Sequence, residues 1–343
     1  MQLLASIASA LSSHCTALSS HCTALSSHCT VEMSTVNSRH NPQLVNGDQH
    51  DLHHGYNDDN KTAWKAMATH WEEYHSENDM DGNDMFTQCL LPVVQQLSNM
   101  PAKGANTTWC PRVLDLGAGS GIIARMMARE GAHVTGLDYS HEMMDMGRRR
   151  AAKETNLKGS ITYDLIDLTD YEGMAKFMQS HDRYDIVTIS TTLKSLPTLE
   201  PLAKALPLMI NPEGRIVVVD LHPAFSKPAG HRGMEIYEDP KTGKQQLSTY
   251  IKVPRYLNIP PTKSEAVRGQ PEPLWVFHRP FGKLIEPFFQ NGLILDAMRE
   301  PAFEGEPMPS QAQNYHNFQQ TPMLLGFRLR LADRTAVPKA TVS

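Results

Sequence analysis

The sequence predicts an α/β protein built on a doubly wound, Rossmann-like parallel sheet, and three observations predict it. Short apolar runs alternate with helical stretches from Val113 to Asp220, the pattern of parallel strands joined by helical crossovers. The glycine-rich loop Gly117-Ala118-Gly119-Ser120-Gly121 follows the first run and opens onto a helical stretch. Asp115, Asp138, Asp167 and Ser190 stand at the ends of successive runs, and open α/β sheets bind ligands at the carboxyl ends of their strands.

The elements follow in order. Trp64, Met67, Ala68, Trp71 and Tyr74 fall at helical spacing, and a second helix is predicted over 84–97. Strands are predicted over 113–116, 133–137, 161–166, 184–190 and 215–220. Helices over 121–130, 142–153, 171–179 and 199–209 connect them. From Leu221 to Trp275 the text turns Pro- and Gly-rich without clear elements. An insertion of that length, here set at about 221–277, is usually functional. A helix over 280–291 and strands over 293–298 and 323–331 close the domain, the last two as a hairpin around the loop 301–309.

Residues 1–60 read as a low-complexity tail. Ser12–Leu18 is SSHCTAL, Ser19–Leu25 repeats it, and Ser26–Thr30 gives a partial third copy. One leucine per seven residues is too narrow a seam for a coiled coil, and Met33 stands behind the repeats as an alternative start. The expected domain therefore runs over 61–333, with a short tail at 334–343. Cys15, Cys22 and Cys29 belong to the repeats, and with Cys89 and Cys110 they make no disulfide framework for a chain of 343 residues. A reducing, cytoplasmic setting is expected, although an N-terminal targeting role stays open.

A net charge of -5 without a basic stripe disfavours nucleic acid as partner. No apolar run reaches the roughly 18 residues of a membrane helix. A small molecule is left as the expected substrate, with no metal centre indicated and the oligomeric state open.

The glycine loop carries the sharpest chemistry. Glycines let it turn tightly and bring its backbone against a ligand. A dinucleotide fingerprint wants Gly or Ala at position 122, where this chain has Ile122. Asp115, two residues before the first glycine, suits a ligand that carries an ammonium group. Asp138 ends the second strand, where a carboxylate accepts ribose hydroxyls; it also suits a helix N-cap. Asp167 and Leu168 stand where an adenine would be met, although Asp170 nearby could cap the helix instead.

Taken together, VLDLGAGSG (113–121), VTGLDYSHEMM (134–144), DL (167–168), YDIVTIS (184–190) and NPEGRIVVVD (211–220) resemble the class I S-adenosylmethionine-dependent methyltransferases. The resemblance implies strand order 3-2-1-4-5-7-6 with strand 7 antiparallel, and S-adenosyl-L-methionine as cofactor. It implies cofactor contacts at Asp115, Gly117, Gly119, Gly121, Asp138, Met143, Asp167, Leu168 and Ser190. The Trp64–Tyr74 helix looks like the family's N-terminal lid, and 277–293 is similar to the His-Arg-Pro segment of its small-molecule branch.

Methyl transfer has no universal catalytic motif, because the sulfonium already activates the carbon and the protein mainly orients the reactants. His222, just beyond the fifth strand, and His278, opening the late helix, are the candidate bases. Lys194 stands where the small-molecule branch often has histidine; it suits either an acidic substrate group or a solvated helix entry. Tyr237, Tyr250, Tyr256, Trp275 and Phe277 are candidate walls of an acceptor pocket. The expected reaction is methylation of oxygen or nitrogen on a small, secondary-metabolite type of molecule. A regulatory protein of the same fold, or a cofactor-binding cyclase, remains the alternative.

Overall fold

The computed structural model describes residues 46–74, 84–100, 108–267, 269–308, 311, 314–333 and 335. Helix α1 spans Asn46–Tyr74, and a π-turn at Phe86–Leu90 leads into α2 (Leu91–Ser98). The sheet then forms by alternation: β1 (Arg112–Leu116), α3 (Ile122–Arg129), β2 (His133–Asp138), α4 (His141–Ala152), β3 (Ser160–Leu165), α5 (Tyr171–Gln179), β4 (Tyr184–Ser190), α6 (Glu200–Met209) and β5 (Ile210–Leu221). These five strands are parallel.

After β5 come β6 (His231–Glu238), β7 (Gln245–Lys252), β8 (Thr262–Ser264), β9 (Leu274–Val276), α7 (Phe281–Gln290), β10 (Leu293–Arg299) and β11 (Leu324–Leu331). The main sheet runs β3-β2-β1-β4-β5-β11-β10. β11 lies antiparallel between β5 and β10. This is the order 3-2-1-4-5-7-6 with strand 7 antiparallel that the resemblance implied.

The two-residue period of the strands divides the core between the faces of the sheet. Leu114, Leu116, Val187, Ile189, Ile216 and Val218 pack with residues of α5, α6 and α7. Their neighbours Val113, Ile186, Val217 and Val219 pack with α2 and α3 on the other side. Burial on both faces explains why the strands read as near-continuous apolar runs.

Two expectations change. Helix α1 begins at Asn46, so fifteen residues of the stretch read as tail are helical; that stretch is polar, and its apolar stripe starts only near Ala63. The repeats and most of the C-terminal tail lie outside the described residues. The insertion, expected to lack clear elements, holds two small antiparallel sheets, β6–β7 and β8–β9. The β6–β7 hairpin is largely exposed on both faces, with Ile236, Leu247, Tyr237 and Tyr250 all open to solvent. Without a buried face it shows no in–out alternation to read. No described helix is long and apolar enough to cross a membrane.

Candidate functional site

The carboxyl ends of β1, β2 and β4 open into one cleft. Its floor is the loop after β1. Gly117, Gly119 and Gly121 have φ of 70°, 52° and 76°, a region L side chains rarely adopt. At Gly117 a side chain would also collide with the Thr192 hydroxyl, so the β1 and β4 loops meet only because that residue is glycine. Gly121 does not line the cleft; it starts α3 behind it, closely covered by Tyr163.

Asp115 is buried at 2% exposure. Its Oδ1 accepts from Thr188 Oγ1 at 2.8 Å, while Oδ2 has no partner. Burial, with a further push from Asp138 and against the Thr188 hydrogen bond, raises its pKa to about 7. Ser190 Oγ, at the end of β4, is also buried without a partner. Buried polar atoms are normally satisfied, so these two mark a place prepared for a polar ligand.

Asp138 ends β2 and accepts from Gly119 N at 2.8 Å and Ser140 N at 2.9 Å. The N-cap of α4 is Ser140, whose hydroxyl accepts from Met143 N. Asp138 thus keeps lone pairs for hydroxyl donors. Met143 and Leu168 line the same cleft as apolar walls.

Asp167 is not on that wall. Its Oδ2 accepts from Asn57 Nδ2 at 2.7 Å and pairs with Lys61 Nζ at 2.9 Å; its Oδ1 accepts from Thr169. Asp170, not Asp167, caps α5. The expected adenine contact is therefore a tie to α1, and α1 roofs the cleft with Trp64 and Trp71. Asn60 fixes the same helix, donating to Ser195 O and Trp275 O and accepting from Trp275 N.

The two candidate bases part company. His222 lines neither this cleft nor the smaller cavity beside it. Its ring stacks on Phe225, Nδ1 accepts from Ala224 N, and Nε2 meets Glu300 Oε1 at 3.0 Å. Both nitrogens are engaged in holding the turn after β5, so the expectation that it faces the acceptor does not stand. His278 does face the smaller cavity, with Lys194, Asp220 and Phe277. Its Nε2 lies 2.6 Å from Tyr256 O, a carbonyl that only accepts, so Nε2 carries the proton and Nδ1 the lone pair. Burial lowers its pKa, against the Tyr256 bond that raises it, and the imidazole is neutral near pH 7.

Of the expected acceptor walls, only Phe277 lines a cavity described here. Tyr237 and Tyr250 sit exposed on the hairpin; Tyr256 buttresses His278 edge-on, and Trp275 holds α1. Missed from the sequence were Thr191 and Thr192, which line the cleft beside Ser190. Thr191 has φ of 52°, strained for a β-branched residue.

The residues present fit S-adenosylmethionine. Asp115 Oδ2 and Ser190 Oγ match its ammonium and carboxylate end, Asp138 matches a ribose diol, and Met143 and Leu168 offer apolar flanks for an adenine.

Residues 113–214 match the family described as "Methyltransferase domain", in keeping with the resemblance. The chain is 28% identical over 172 residues to the ubiquinone biosynthesis O-methyltransferase of Escherichia coli O6:H1, covering 50% of this chain and 65% of that protein. It is 33% identical over 107 residues to the enzyme of the same name from Aeromonas salmonicida, covering 31% and 42%. The chain thus spans less than two thirds of these relatives' length. Among solved structures it resembles an S-adenosylmethionine-dependent methyltransferase from Mesorhizobium loti at 21% identity (TM-score 0.47, 70% of this chain, 96% of that one). It also resembles the CcbJ methyltransferase of Streptomyces caelestis at 19% identity (TM-score 0.43, 71% and 88%).

Proposed function

We propose that this chain, whose residues 113–214 match a methyltransferase-domain family, is an S-adenosylmethionine-dependent enzyme that methylates an oxygen of a small molecule. The observation that carries the reading is the pair of partnerless buried atoms, Asp115 Oδ2 and Ser190 Oγ, set beside Asp138 in one cleft. Oxygen is preferred as acceptor because the relatives above are named as O-methyltransferases.

When bound, the cofactor supplies a methyl group already activated by a sulfonium. Asp115, Asp138 and the glycine loop orient its polar ends, and Trp64 and Trp71 on α1 exclude water. His278, neutral and lining the smaller cavity beside the cofactor cleft, is the candidate base on this reading. His222 has no part in this reading.

The test is direct. Isothermal titration should show S-adenosylhomocysteine binding to the wild type and a loss of about 100-fold in Asp115→Asn, the scale of a charge-assisted bond in a buried site. Methyl transfer from radiolabelled cofactor to a fractionated metabolite extract should then label a phenolic or other hydroxylated fraction. Tight cofactor binding with no labelled fraction would defeat the catalytic reading and favour a regulatory protein.

A further inference from the structure

The insertion after β5 leaves an apolar patch open to solvent. Ile236, Tyr237, Leu247, Tyr250, Val253 and Leu257 are six of the nine exposed large apolar side chains among the described residues. Apolar residues scattered singly over a surface are ordinary, but a cluster of them marks a place of contact. Four of the six belong to the β6–β7 hairpin, which pairs with no other described strand.

The two edges of that hairpin differ in charge. β6 carries His231, Arg232, Glu235 and Glu238, and charges along an edge keep other strands away. β7 reads QQLSTYIK, without proline and with Lys252 at its end as the one charge. An edge of that kind is a template for another strand, and β7 itself supplies the match. A two-fold axis perpendicular to the sheet preserves its faces, so each residue meets one of the same parity.

With the axis at Thr249 the two β7 strands overlap over 246–252, and Leu247 meets Ile251 of the second copy. Within each hairpin Leu247 already faces Ile236, Thr249 faces Met234 and Ile251 faces Arg232. One face of the four strands therefore carries an unbroken apolar row of Ile236, Leu247 and the second copy's Ile251. On the other face the second copy's Lys252 arrives opposite Gln246, which donates to Asp239 Oδ2 at 3.1 Å. The ammonium thus comes to lie beside a carboxylate. Moving the axis to Ser248 sets Lys244 against Lys252, and moving it to Tyr250 shortens the overlap to 248–252.

We propose that the chain forms a two-fold dimer in which β7 pairs antiparallel with β7 of a second copy about Thr249. One pairing covers both open edges, and the charged β6 edges stop further growth, so assembly closes at two. The dimer goes beyond the methyltransferase reading and does not depend on it.

Sedimentation equilibrium on the whole chain should show monomer and dimer in balance at roughly micromolar concentrations. Thr249→Lys, which opposes two ammoniums across the axis, should raise the dimer Kd by about tenfold or more. Thr249→Val keeps a good strand former there and should hold it within about threefold. Disulfide trapping reads the register. Under mild oxidation Thr249→Cys should cross-link to its own copy, because directly opposed Cα atoms lie about 5 Å apart. Leu247→Cys should not, its two copies being roughly 14 Å apart, but should link to Ile251→Cys in a mixture. Mass spectrometry of the linked peptides separates these products from links through the exposed Cys110. Leu247→Cys linking to itself while Thr249→Cys does not would overturn the proposal. So would a chain that stays monomeric throughout, and its sedimentation with phosphatidylcholine vesicles would give the patch to a lipid surface instead.

Discussion

The carboxylate of Asp167 meets the ammonium of Lys61 at 2.9 Å, joining the loop after β3 to the helix that roofs the cofactor cleft. Asn57 donates to the same oxygen from one turn earlier. Burial would raise the Asp167 pKa, but the Lys61 bond and the Thr169 bonds outweigh it and hold the group below the usual carboxylate range. The tie is therefore charged at neutral pH, and it weakens only as pH falls through that lowered range.

Breaking it should loosen the roof. Lys61 is exposed enough that the pair is worth about 1 kcal/mol. Asp167→Ala or Lys61→Met should accordingly raise the Kd for S-adenosylhomocysteine by about fivefold. Hydrogen exchange in α1 should quicken in parallel. Unchanged exchange in both variants would show that the ties of Asn60 and Asp59 to Trp275 hold the helix without it.

Asp115 should act as a proton-linked cofactor anchor. Its pKa of about 7 lies above the ordinary value, chiefly through burial, so the cofactor-free protein loses stability as pH rises from the usual carboxyl range to about 7. A bound ammonium favours the ionised form. Binding near neutral pH should therefore release a proton and tighten as pH rises towards 7. Calorimetry in two buffers of different ionisation enthalpy measures that proton directly, and Asp115→Asn should abolish its release.

The two histidines should separate by readout. His222→Gln removes a stacked ring and the Glu300 contact, so thermal stability should fall while kcat stays within about threefold. His278→Gln should lower kcat by about 100-fold, at the low end of general-base contributions, with little change in cofactor Kd. The opposite pattern in the two variants would reverse the assignment.

Thr191 should show strain held at a working site. Its φ of 52° costs on the order of 1 kcal/mol or more for a β-branched residue. Asn tolerates this conformation better, so Thr191→Asn should gain about 1 kcal/mol in denaturant unfolding. Methyl transfer should fall in the same variant if Thr191 shapes the cleft wall. A destabilised variant would show that the hydroxyl contributes more than the strain costs.

Short-range features were legible in advance. The glycine loop, Asp115 and Asp138 follow from local spacing, because strand ends and tight turns declare themselves within a few residues. The choice of helix caps was not legible: Ser140 and Asp170 compete on equal terms with Asp138 and Asp167 in the text. Backbone geometry settles it, and this is what leaves Asp138 facing the cleft. The β6–β7 hairpin escaped notice because neither of its faces is buried.

The chain by itself determined a doubly wound sheet and a glycine loop that brings its backbone against a ligand, since apolar periodicity and glycine spacing are local consequences of backbone sterics. Tertiary structure decided the partners. Asp167 finds Lys61 and Asn57 across more than one hundred residues, Lys194 is enclosed by the carbonyl of Lys227 and by His278, and His222 turns to Glu300. Those pairings depend on which distant segments the sheet brings together, and side-chain charge acquires its meaning only once burial has set the neighbours.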